Sequence, residues 1–398
     1  MDEKNRKLIA TVSFMRRFIS VFFNIFLNIY VLKIVNDLGF IIKVNLIGIV
    51  FEIIFHTLIL KYLNNKNVKY IYNSSFIILV ICIGLLLALK ENIIKYIYLF
   101  KMLYAFEEGL YYGPHEMIIM GSNNHKTFSS FQANMNILKN IATILTPIFS
   151  GFIIERFSYN FLFVILIIEM ILVICTGTRI DNFYIEDKQT NIKEFWDKAK
   201  KYKHMKDIYK CMFYRRISAQ GAITDLLPII LFLKLDSELR VGTYSSIFSV
   251  LSIFSLTLLN FANKKNIKKQ FYIPFAILTF ISTLFLVFIP SFITMIIYYI
   301  CMHSFAAIIE TESTRAVYEA INNKELSKYN REHDIVFNIY MFFGQVISYS
   351  LTYILYTRFY NANILSIVVS ILMFFLIISC IYLQRTENYF VDKEAALK

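Results

Sequence analysis

The stretch KMLYAFEEGLYYGPHE, residues 101–116, places two adjacent glutamates and three tyrosines inside a long apolar region. Lys101, Glu108 and His115 are seven residues apart, and positions seven apart share one face of an α-helix. An ionised side chain at the centre of a bilayer costs at least ~2.5–3.5 kcal/mol. If this helix crosses a membrane, we therefore expect its polar face to look into a polar cavity.

The composition of the chain indicates a membrane protein. Of 398 residues, 57% are hydrophobic and 17% are charged, whereas soluble domains carry about 25% charged residues. Phe (39) and Tyr (27) are abundant, and only 11 residues are Gly. A soluble protein this apolar would expose patches that aggregate, which disfavours a large soluble helical protein.

Apolar segments long enough to cross a membrane, about 20 residues each, recur twelve times. The predicted spans, numbered 1 to 12, are residues 9–33, 38–62, 70–89, 94–121, 128–153, 158–178, 208–234, 242–262, 271–289, 292–320, 333–356 and 361–384. The predicted fold class is therefore an all-α integral membrane protein with twelve transmembrane helices.

The basic residues predict the orientation of the chain. Most of the 41 Lys and Arg lie in or beside the N-terminal tail, the even-numbered loops and the C-terminal tail. The opposite side holds Lys33, Lys43, Lys90, Lys95, Arg156, Lys234, Arg240 and Arg358. Because positive loops stay in the cytoplasm, both termini are expected on the cytoplasmic side. The expected location of the protein is the plasma membrane of a bacterium. The N-terminus has no small-residue cleavage site, so we expect a tail leading into span 1.

Several function classes lack their signatures. The net charge of +13 lies in short loops and not in an aromatic-basic RNA-binding pattern, so no nucleic-acid partner is expected. The five cysteines stand alone without CxxC, which predicts neither disulfides nor a metal site. No G-x-x-x-x-G-K loop supports ATP drive, and we expect no cofactor. A membrane-embedded enzyme such as an acyltransferase needs clustered His/Asp or Ser/His groups. His56 and His303 are isolated, so we expect no enzyme.

The longest predicted loop divides the chain into two related halves. The predicted parts are an N-terminal six-helix bundle, a cytoplasmic linker and a C-terminal six-helix bundle, residues 1–178, 179–206 and 207–398. The linker carries apolar residues at roughly helical spacing, Phe195, Trp196, Ala199 and Tyr202. This pattern fits either a basic amphipathic helix along the inner membrane face or a solvated linker.

Two motifs recur with one offset. Arg16-Arg17 opens span 1 and Arg215-Arg216 lies early in span 7, 199 residues later. The basic loop 64–69 is matched by 263–268 at the same offset. Duplicated halves are typical of secondary transporters, whose binding site lies at the interface of the repeats.

Charges inside spans fall mostly on every third helix. They are Arg16 and Arg17 in span 1, Lys101, Glu107 and Glu108 in span 4, Arg215, Arg216 and Asp225 in span 7, and Glu310, Glu312 and Arg315 in span 10. Helical spacing predicts three polar stripes: Arg17, Ser20, Asn24 and Asn28; Arg216, Gln220 and Thr224; His303, Glu310 and Thr314. Lipid offers these groups no partner, so we expect them to face away from it.

This organisation resembles the major facilitator superfamily, in which helices 1, 4, 7 and 10 line a central cavity. The loop 63–69 keeps the tight basic turn of the family motif G-x-x-x-D-R-x-G-R-K/R, with Asn67 in place of the glycine and no aspartate. Asn tolerates left-handed backbone better than most residues. TPIFSG, residues 146–151, resembles the G-P-x-x-G-G element of exporters at Pro147 and Gly151. The alternative for this element is a kink with close helix packing.

These patterns define the candidate residues. Glu108 is the first candidate for carrying a proton and Glu310 the second, with Glu107 and Glu312 beside them. The candidate substrate cavity comprises Arg17, Asn24, Asn28, Lys101, Tyr104, Tyr111, Tyr112, His115, Arg216, Gln220, Asp225 and His303. The candidate gating residues are Gly113, Pro114, Pro147 and Gly151. Two alternatives stay open: buried ion pairs that only lock helices together, and arginines such as Arg16 and Arg215 that snorkel to the interface.

We therefore predict a monomeric secondary active transporter that works by alternating access, with the lipid bilayer, protons and a small-molecule substrate as its partners. The tyrosines favour proton-coupled efflux of an amphipathic or drug-like compound. Proton-coupled uptake of an anionic solute is the alternative, because the arginines offer anion sites. A non-transporting sensor built on a transporter scaffold is a further one.

Overall fold

A computed structural model describes residues 3–121, 125–180, 190–264, 268–321, 325–359 and 364–396. Within these ranges the chain forms helices and connecting turns, with no strand. The α-helices of the N-terminal half are α1 Glu3–Phe22, α2 Asn28–Val35, α3 Leu38–Tyr62, α4 Val68–Leu89, α5 Ile97–Gly121, α6 His125–Arg156 and α7 Tyr159–Gly177. They are followed by α8 Ile192–Ala199, α9 Lys203–Ile217, α10 Ala222–Leu235, α11 Glu238–Lys264, α12 Tyr272–Phe288, α13 Phe292–Cys301, α14 Ala307–Ile321, α15 Asn330–Arg358 and α16 Ile364–Ala396.

Shorter helical turns join some of these helices. Two π-helical turns, Phe23–Leu27 and Met302–Ala306, continue α1 into α2 and α13 into α14. The 3₁₀ turns are Lys90–Tyr96, Lys268–Phe271 and Ser327–Tyr329. Span 1 therefore corresponds to α1 and α2, span 7 to α9 and α10, and span 10 to α13 and α14.

The helices have the length and apolar character of membrane spans. In the described part of the chain, nine segments are long and apolar enough to cross a membrane, and one of them, Val68–Ile118, is 51 residues long and holds spans 3 and 4. Large apolar side chains lie exposed on the outside, such as Ile168 and Leu172 of α7, which are 55% and 54% exposed. Lipid is the solvent in which such a surface is stable. The predicted all-α integral membrane fold is confirmed.

The same turn follows span 1 and span 7. Asn36 ends α2 with φ 51° and Asp236 ends α10 with φ 48°, so both residues adopt the left-handed backbone conformation. A capping side chain comes next in each case: Asp37 accepts the N–H of Gly39 at 2.8 Å, and Ser237 accepts the N–H of Arg240 at 3.2 Å. These caps satisfy N–H groups that a helix start leaves open. The two turns add a structural counterpart to the sequence repeat.

The tight turn after α3 is built differently from the prediction. Asn67 has φ −108°, so the expectation that it replaces a glycine in left-handed conformation was wrong. Its side chain instead closes the turn, donating to the carbonyl of Tyr62 at 2.8 Å and accepting the N–H of Asn64 at 2.8 Å. Local hydrogen bonds of this kind stabilise a turn without unusual backbone. Part of the matching loop, residues 265–267, lies outside the described ranges.

The chain forms two compact units, Met1–Thr190 with Leu227–Ile247, and Asn191–Leu226 with Phe248–Lys398. In the second unit, α8 packs on α15 and the turn before it. The ring of Phe195 lies 6.0 Å from Tyr329 and 6.0 Å from His333. Glu332 accepts the backbone N–H of Asn191 at 3.0 Å. Residues 181–189 of the predicted linker lie outside the described ranges.

Candidate functional site

Three of the four spans that the sequence marks as polar are interrupted, and the fourth contains a proline. Span 1 and span 10 contain the π-helical turns, and α5 contains Pro114. Span 7 is interrupted between Ile217 and Ala222. π-helical turns inside α-helices are frequent at functional sites. Spans 1, 7 and 10 therefore depart from a regular α-helix near their polar residues.

The first unit contains a buried ionic triad of Arg16, Glu107 and Glu108. Nη2 of Arg16 lies 2.8 Å from Oε2 of Glu107 and 2.7 Å from Oε1 of Glu108. The exposed fractions are 2% for Arg16, 0% for Glu107 and 15% for Glu108. One guanidinium thus faces two carboxylates, and the triad carries a net charge of −1 when both are ionised.

The triad joins α1 to α5. Successive residues of a helix project about 100° apart, so two adjacent side chains usually face different directions. Both glutamates nevertheless reach the same nitrogen of Arg16. The guanidinium carbon also lies 5.1 Å from the centroid of the Tyr111 ring. Arg16 is therefore held inside the bundle.

The other candidates of α5 pack against aromatic rings and α3. Tyr104 stacks on Phe23 with 4.7 Å between centroids, and Tyr111 contacts Tyr112 edge-on at 5.0 Å. His115 is 3% exposed, and its ring stacks on Tyr111 at 5.0 Å. Lys101 lies beside Gly48 of α3, where an added Cβ would meet its Cδ at 3.7 Å. Much of the polar face predicted for span 4 therefore lies inside the first unit.

The polar stripe of span 1 is divided by the π-helical turn. Nε of Arg17 donates to Oγ1 of Thr143 on α6 at 3.0 Å. Asn28 is buried and accepts from Nδ2 of Asn45 at 3.2 Å, whereas Asn24, within the π turn, is exposed. A π turn holds one residue more than an α turn, so the residues beyond it rotate to a different face.

Arg215 is the counterpart of Arg16 in the second unit, but its partners are neutral. Its Nη2 donates to Oε1 of Gln220 at 2.8 Å, and its Nη1 to the carbonyl of Glu310 at 3.2 Å and to the hydroxyl of Ser313. The side chain is 4% exposed. Within the described ranges, no carboxylate oxygen lies within 4.0 Å of this guanidinium.

The interruption of span 7 arises from contact with α15. A Cβ on Gly221 would lie 2.3 Å from Oγ of Ser348, so only glycine allows this approach. The same hydroxyl accepts the N–H of Ala222 at 3.0 Å, which replaces a hydrogen bond within the helix. Because the helix is broken, the predicted stripe of span 7 does not exist as one face. Its members and their neighbours are placed separately: Arg216 lies beside Gly344, and Asp225 accepts from the hydroxyl of Tyr349.

In span 10 the candidates have separate environments. His303 lies in the π-helical turn and stacks on Phe248 at 5.5 Å, and the side chain of Glu310 is exposed. Glu312 is 1% exposed and accepts from the hydroxyl of Tyr272 and from Nε of Arg315, both at 3.0 Å. Arg315 also pairs with two further carboxylates, Glu319 and Glu387. Glu312 thus belongs to an ionic cluster joining α14 to α12 and α16.

The gating candidates lie at tight helix contacts in the first unit. A Cβ on Gly151 would lie 2.5 Å from the carbonyl oxygen of Glu238, and one on Gly242 would lie 2.1 Å from that of Pro147. The Pro-x-x-x-Gly element therefore forms a close contact between α6 and α11. Gly113 contacts Leu60 of α3, where an added Cβ would lie 3.3 Å from Cδ2. Pro114 is buried within α5, which continues beyond it to Gly121.

A polar cluster at the start of α11 was missed in the sequence. Oε1 of Glu238 lies 2.6 Å from Nζ of Lys33 and accepts from the hydroxyl of Tyr159 at 3.3 Å. Glu155 accepts the hydroxyl of Ser237 at 2.6 Å and the N–H of Leu239 at 3.2 Å. We call this cluster the α11 clamp; its members are Lys33, Glu155, Tyr159, Ser237, Glu238 and Leu239. Their positions at span ends carry no periodic signal, and only the helix-capping Ser237 hints at their role.

Comparison with known proteins adds the fold. No family model and no curated protein matches the sequence. Among solved structures, the chain is similar to the crystal structure of a bacterial homologue of the human lysosomal transporter Spinster, in an inward-facing and unoccupied conformation. The TM-score is 0.67 at 13% identity, over 98% of this chain and 99% of that one. The chain therefore has the fold of the major facilitator transporters and is a multi-pass membrane protein.

Proposed function

We propose that the protein is a proton-coupled secondary transporter that exports an amphipathic or drug-like compound by alternating access. The observation that carries this proposal is the triad of Arg16, Glu107 and Glu108. Its two carboxylates share one nitrogen of one guanidinium, deep inside the first unit. A fully ionised triad has one negative charge in excess, and a single proton removes it.

The energetics favour a site that exchanges one proton. A buried charge without a partner is costly, since the effective penalty is several kcal/mol per ion. The second carboxylate therefore keeps its charge only while water or another cation reaches it. A conformational change that opens or closes access to the triad would release or take up the proton.

Of the two carboxylates, Glu108 is the better proton carrier. Its side chain is 15% exposed, whereas that of Glu107 is 0% exposed. Glu107 is thus the lasting partner of Arg16, and Glu108 is the group that solvent reaches first. The adjacent half-buried Tyr112 and the stacked Tyr104 give an aromatic surface suited to an amphipathic compound.

Transport in everted vesicles with ethidium as the probe tests the proposal. Glu108→Gln should abolish ethidium accumulation driven by a pH gradient, while exchange of ethidium at equal pH persists. Glu91→Gln, which removes an exposed carboxylate in a turn, is the matched control and should behave as wild type. Gradient-driven accumulation at the wild-type rate in the Glu108 variant would overturn the assignment.

Arg215 favours uptake of an anionic solute as the second candidate function. Its guanidinium is buried and bonded to neutral groups, so an incoming carboxylate or phosphate would supply the missing charge. The test is uptake of labelled organic anions into right-side-out vesicles at acidic external pH. Acid-stimulated uptake that is lost in Arg215→Gln would favour this candidate over efflux, and its absence would exclude it for the anions used.

A further inference from the structure

Buried polar atoms without a protein partner gather around α5 in the first unit. Arg16 bonds only through Nη2, and its Nε and Nη1 have no hydrogen-bond partner among the described residues. The same holds for Oε1 of Glu107 and for both ring nitrogens of His115. Each of these side chains is at most 3% exposed. A set of unsatisfied donors and acceptors this dense requires an explanation.

The atoms are arranged along one column. Glu107, Tyr111 and His115 are four residues apart on α5, so each step advances about 6 Å along the axis. The Arg16 guanidinium lies over the Tyr111 ring at 5.1 Å, and the Tyr111 ring lies 5.0 Å from the His115 ring. Tyr72 of α4 packs against both rings, 5.6 Å from Tyr111 and 6.1 Å from His115 between ring centroids. The rings of Tyr111 and Tyr72 therefore line the interval between the triad and His115.

Internal water is the expected occupant of such a column. Leaving a buried donor or acceptor unsatisfied costs about 1–3 kcal/mol. Buried water molecules typically make about three hydrogen bonds each to such groups. The column offers both donors, on Arg16 and on one nitrogen of His115, and acceptors, on Glu107 and on the other nitrogen of His115.

We propose that water fills this column and that His115 relays the proton between the triad and the membrane face on which α5 ends. This inference rests on the proposed proton coupling. The proton passes from a glutamic acid to water, and water donates it to one ring nitrogen of His115. The other nitrogen releases its own proton onward, so the imidazole returns to the neutral form and charge is conserved.

The groups around His115 suit a relay. The rings packed on it belong to Tyr72 and Tyr111, and the charged groups around it are Lys139 of α6, Glu116 next to it on α5, and Arg16 of α1 beyond Tyr111. A buried imidazolium without a direct carboxylate partner is costly. A neutral imidazole that gains one proton while losing another avoids that cost, because it has one donor and one acceptor nitrogen.

Two variants test the role of His115 in the reconstituted full chain. His115→Phe keeps the aromatic stack and removes both nitrogens, whereas His115→Gln keeps a donor and an acceptor but cannot relay a proton. We expect each to slow proton release and gradient-driven ethidium transport by at least about tenfold, with ethidium exchange at equal pH unchanged. His204→Phe is the control, since His204 is also buried and stacks on Tyr389 at 4.3 Å.

The outcomes are separable. Wild-type proton release in both His115 variants, or an equal loss of exchange and coupled transport, would overturn the relay. If Glu108→Gln abolishes coupling while the His115 variants do not, only the relay fails. If wild-type protein moves no protons at all, the proposed function fails with it.

Hydroxyl-radical labelling generated in situ by X-rays provides a readout that needs no transport. Radicals formed from bound water modify side chains that touch it, even when these are buried. We expect Tyr111 to be labelled despite its 3% exposure, at a rate well above that of Tyr272, which is 0% exposed and whose hydroxyl donates to Glu312. Equal, negligible labelling of the two tyrosines would contradict a water-filled column.

Discussion

Arg16 and Glu107 form an ion pair of 2.8 Å in which neither side chain is more than 2% exposed. Burial of this pair removes the solvation of both charges, so each depends on the other. The pair also joins α1 to α5. Its removal is therefore expected to affect the stability of the first unit as well as transport.

Arg16→Gln should lower the free energy of unfolding by about 3–5 kcal/mol, because it leaves Glu107 buried without a cation. Thermal and denaturant unfolding of the detergent-solubilised protein measure this change. Arg156→Gln removes an exposed arginine and should change stability by no more than about 0.5 kcal/mol. Equal effects of the two substitutions would show that the buried pair is not stabilising.

At the contact between α6 and α11, we expect an added methyl group on a glycine to destabilise the protein. Gly242→Ala would place Cβ 2.1 Å from a carbonyl oxygen of Pro147, and the backbone cannot yield cheaply. We expect a loss of about 1–3 kcal/mol from overpacking. Gly84→Ala is the matched control, since no atom lies within 4 Å of an added Cβ there. A neutral Gly242→Ala would mean that the two helices separate readily at this point.

The α11 clamp predicts an asymmetric response to charge removal. Lys33→Met should cost less than about 1 kcal/mol, because Lys33 is 48% exposed. Glu238→Leu should cost more, since it also removes the acceptor of Tyr159. Thermal unfolding of both single variants and of the double variant gives the coupling energy. Strict additivity would show that Lys33 and Glu238 do not interact in solution.

We expect the docking of α8 to depend on pH, and the fluorescence of Trp196 in this helix can report it. Hydrogen bonds from Lys198 and from the hydroxyl of Tyr329 hold the pKa of Glu194 below its usual value. A lowered pKa in the docked state contributes stability above the undocked pKa, and this contribution is lost as the pH falls through the lower value. We therefore expect the docking of α8 to weaken below about pH 4.

Trp196 is the only tryptophan of the chain, and its ring centroid lies 6.0 Å from that of Tyr209 on α9. Its fluorescence therefore reports whether α8 is docked. Titration of wild-type protein should show a transition in the acidic range. Glu194→Gln carries no titrating group at this position, and its transition should be reduced. Identical titration curves for the two proteins would remove Glu194 from the account.

The sequence predicted the spans and the polar helices because both depend on local composition. Long apolar runs define a membrane helix whatever its neighbours are. Likewise, Glu107 could be recognised as inward-facing because lipid cannot solvate it. Arg16 was not among the candidate site residues, because an arginine near a span end can also snorkel to the interface. The repeat of Arg16 at Arg215 also pointed to equivalent places in the two halves, and both arginines are buried there.

The polar stripes could not be predicted because they assume uninterrupted α-helices. The π-helical turn in span 1 adds a residue, and the break in span 7 depends on Ser348, which lies more than a hundred residues away from Gly221. Residue spacing carries no trace of such distant contacts. The difference between Arg16 and Arg215 has a similar origin, since it depends on which groups α5 and α14 present to them.

The π-helical turn at Phe23–Leu27 lies in the continuous helical segment between Arg16 and Lys33. If the turn changed to a regular α-helix with a shift of one residue, the part of the helix beyond it would rotate by about 100° and move about 1.5 Å along the axis. Lys33 would then lose its contact with Glu238 while the helices stay folded. The π-helical turn thus sets the register in which Lys33 meets Glu238.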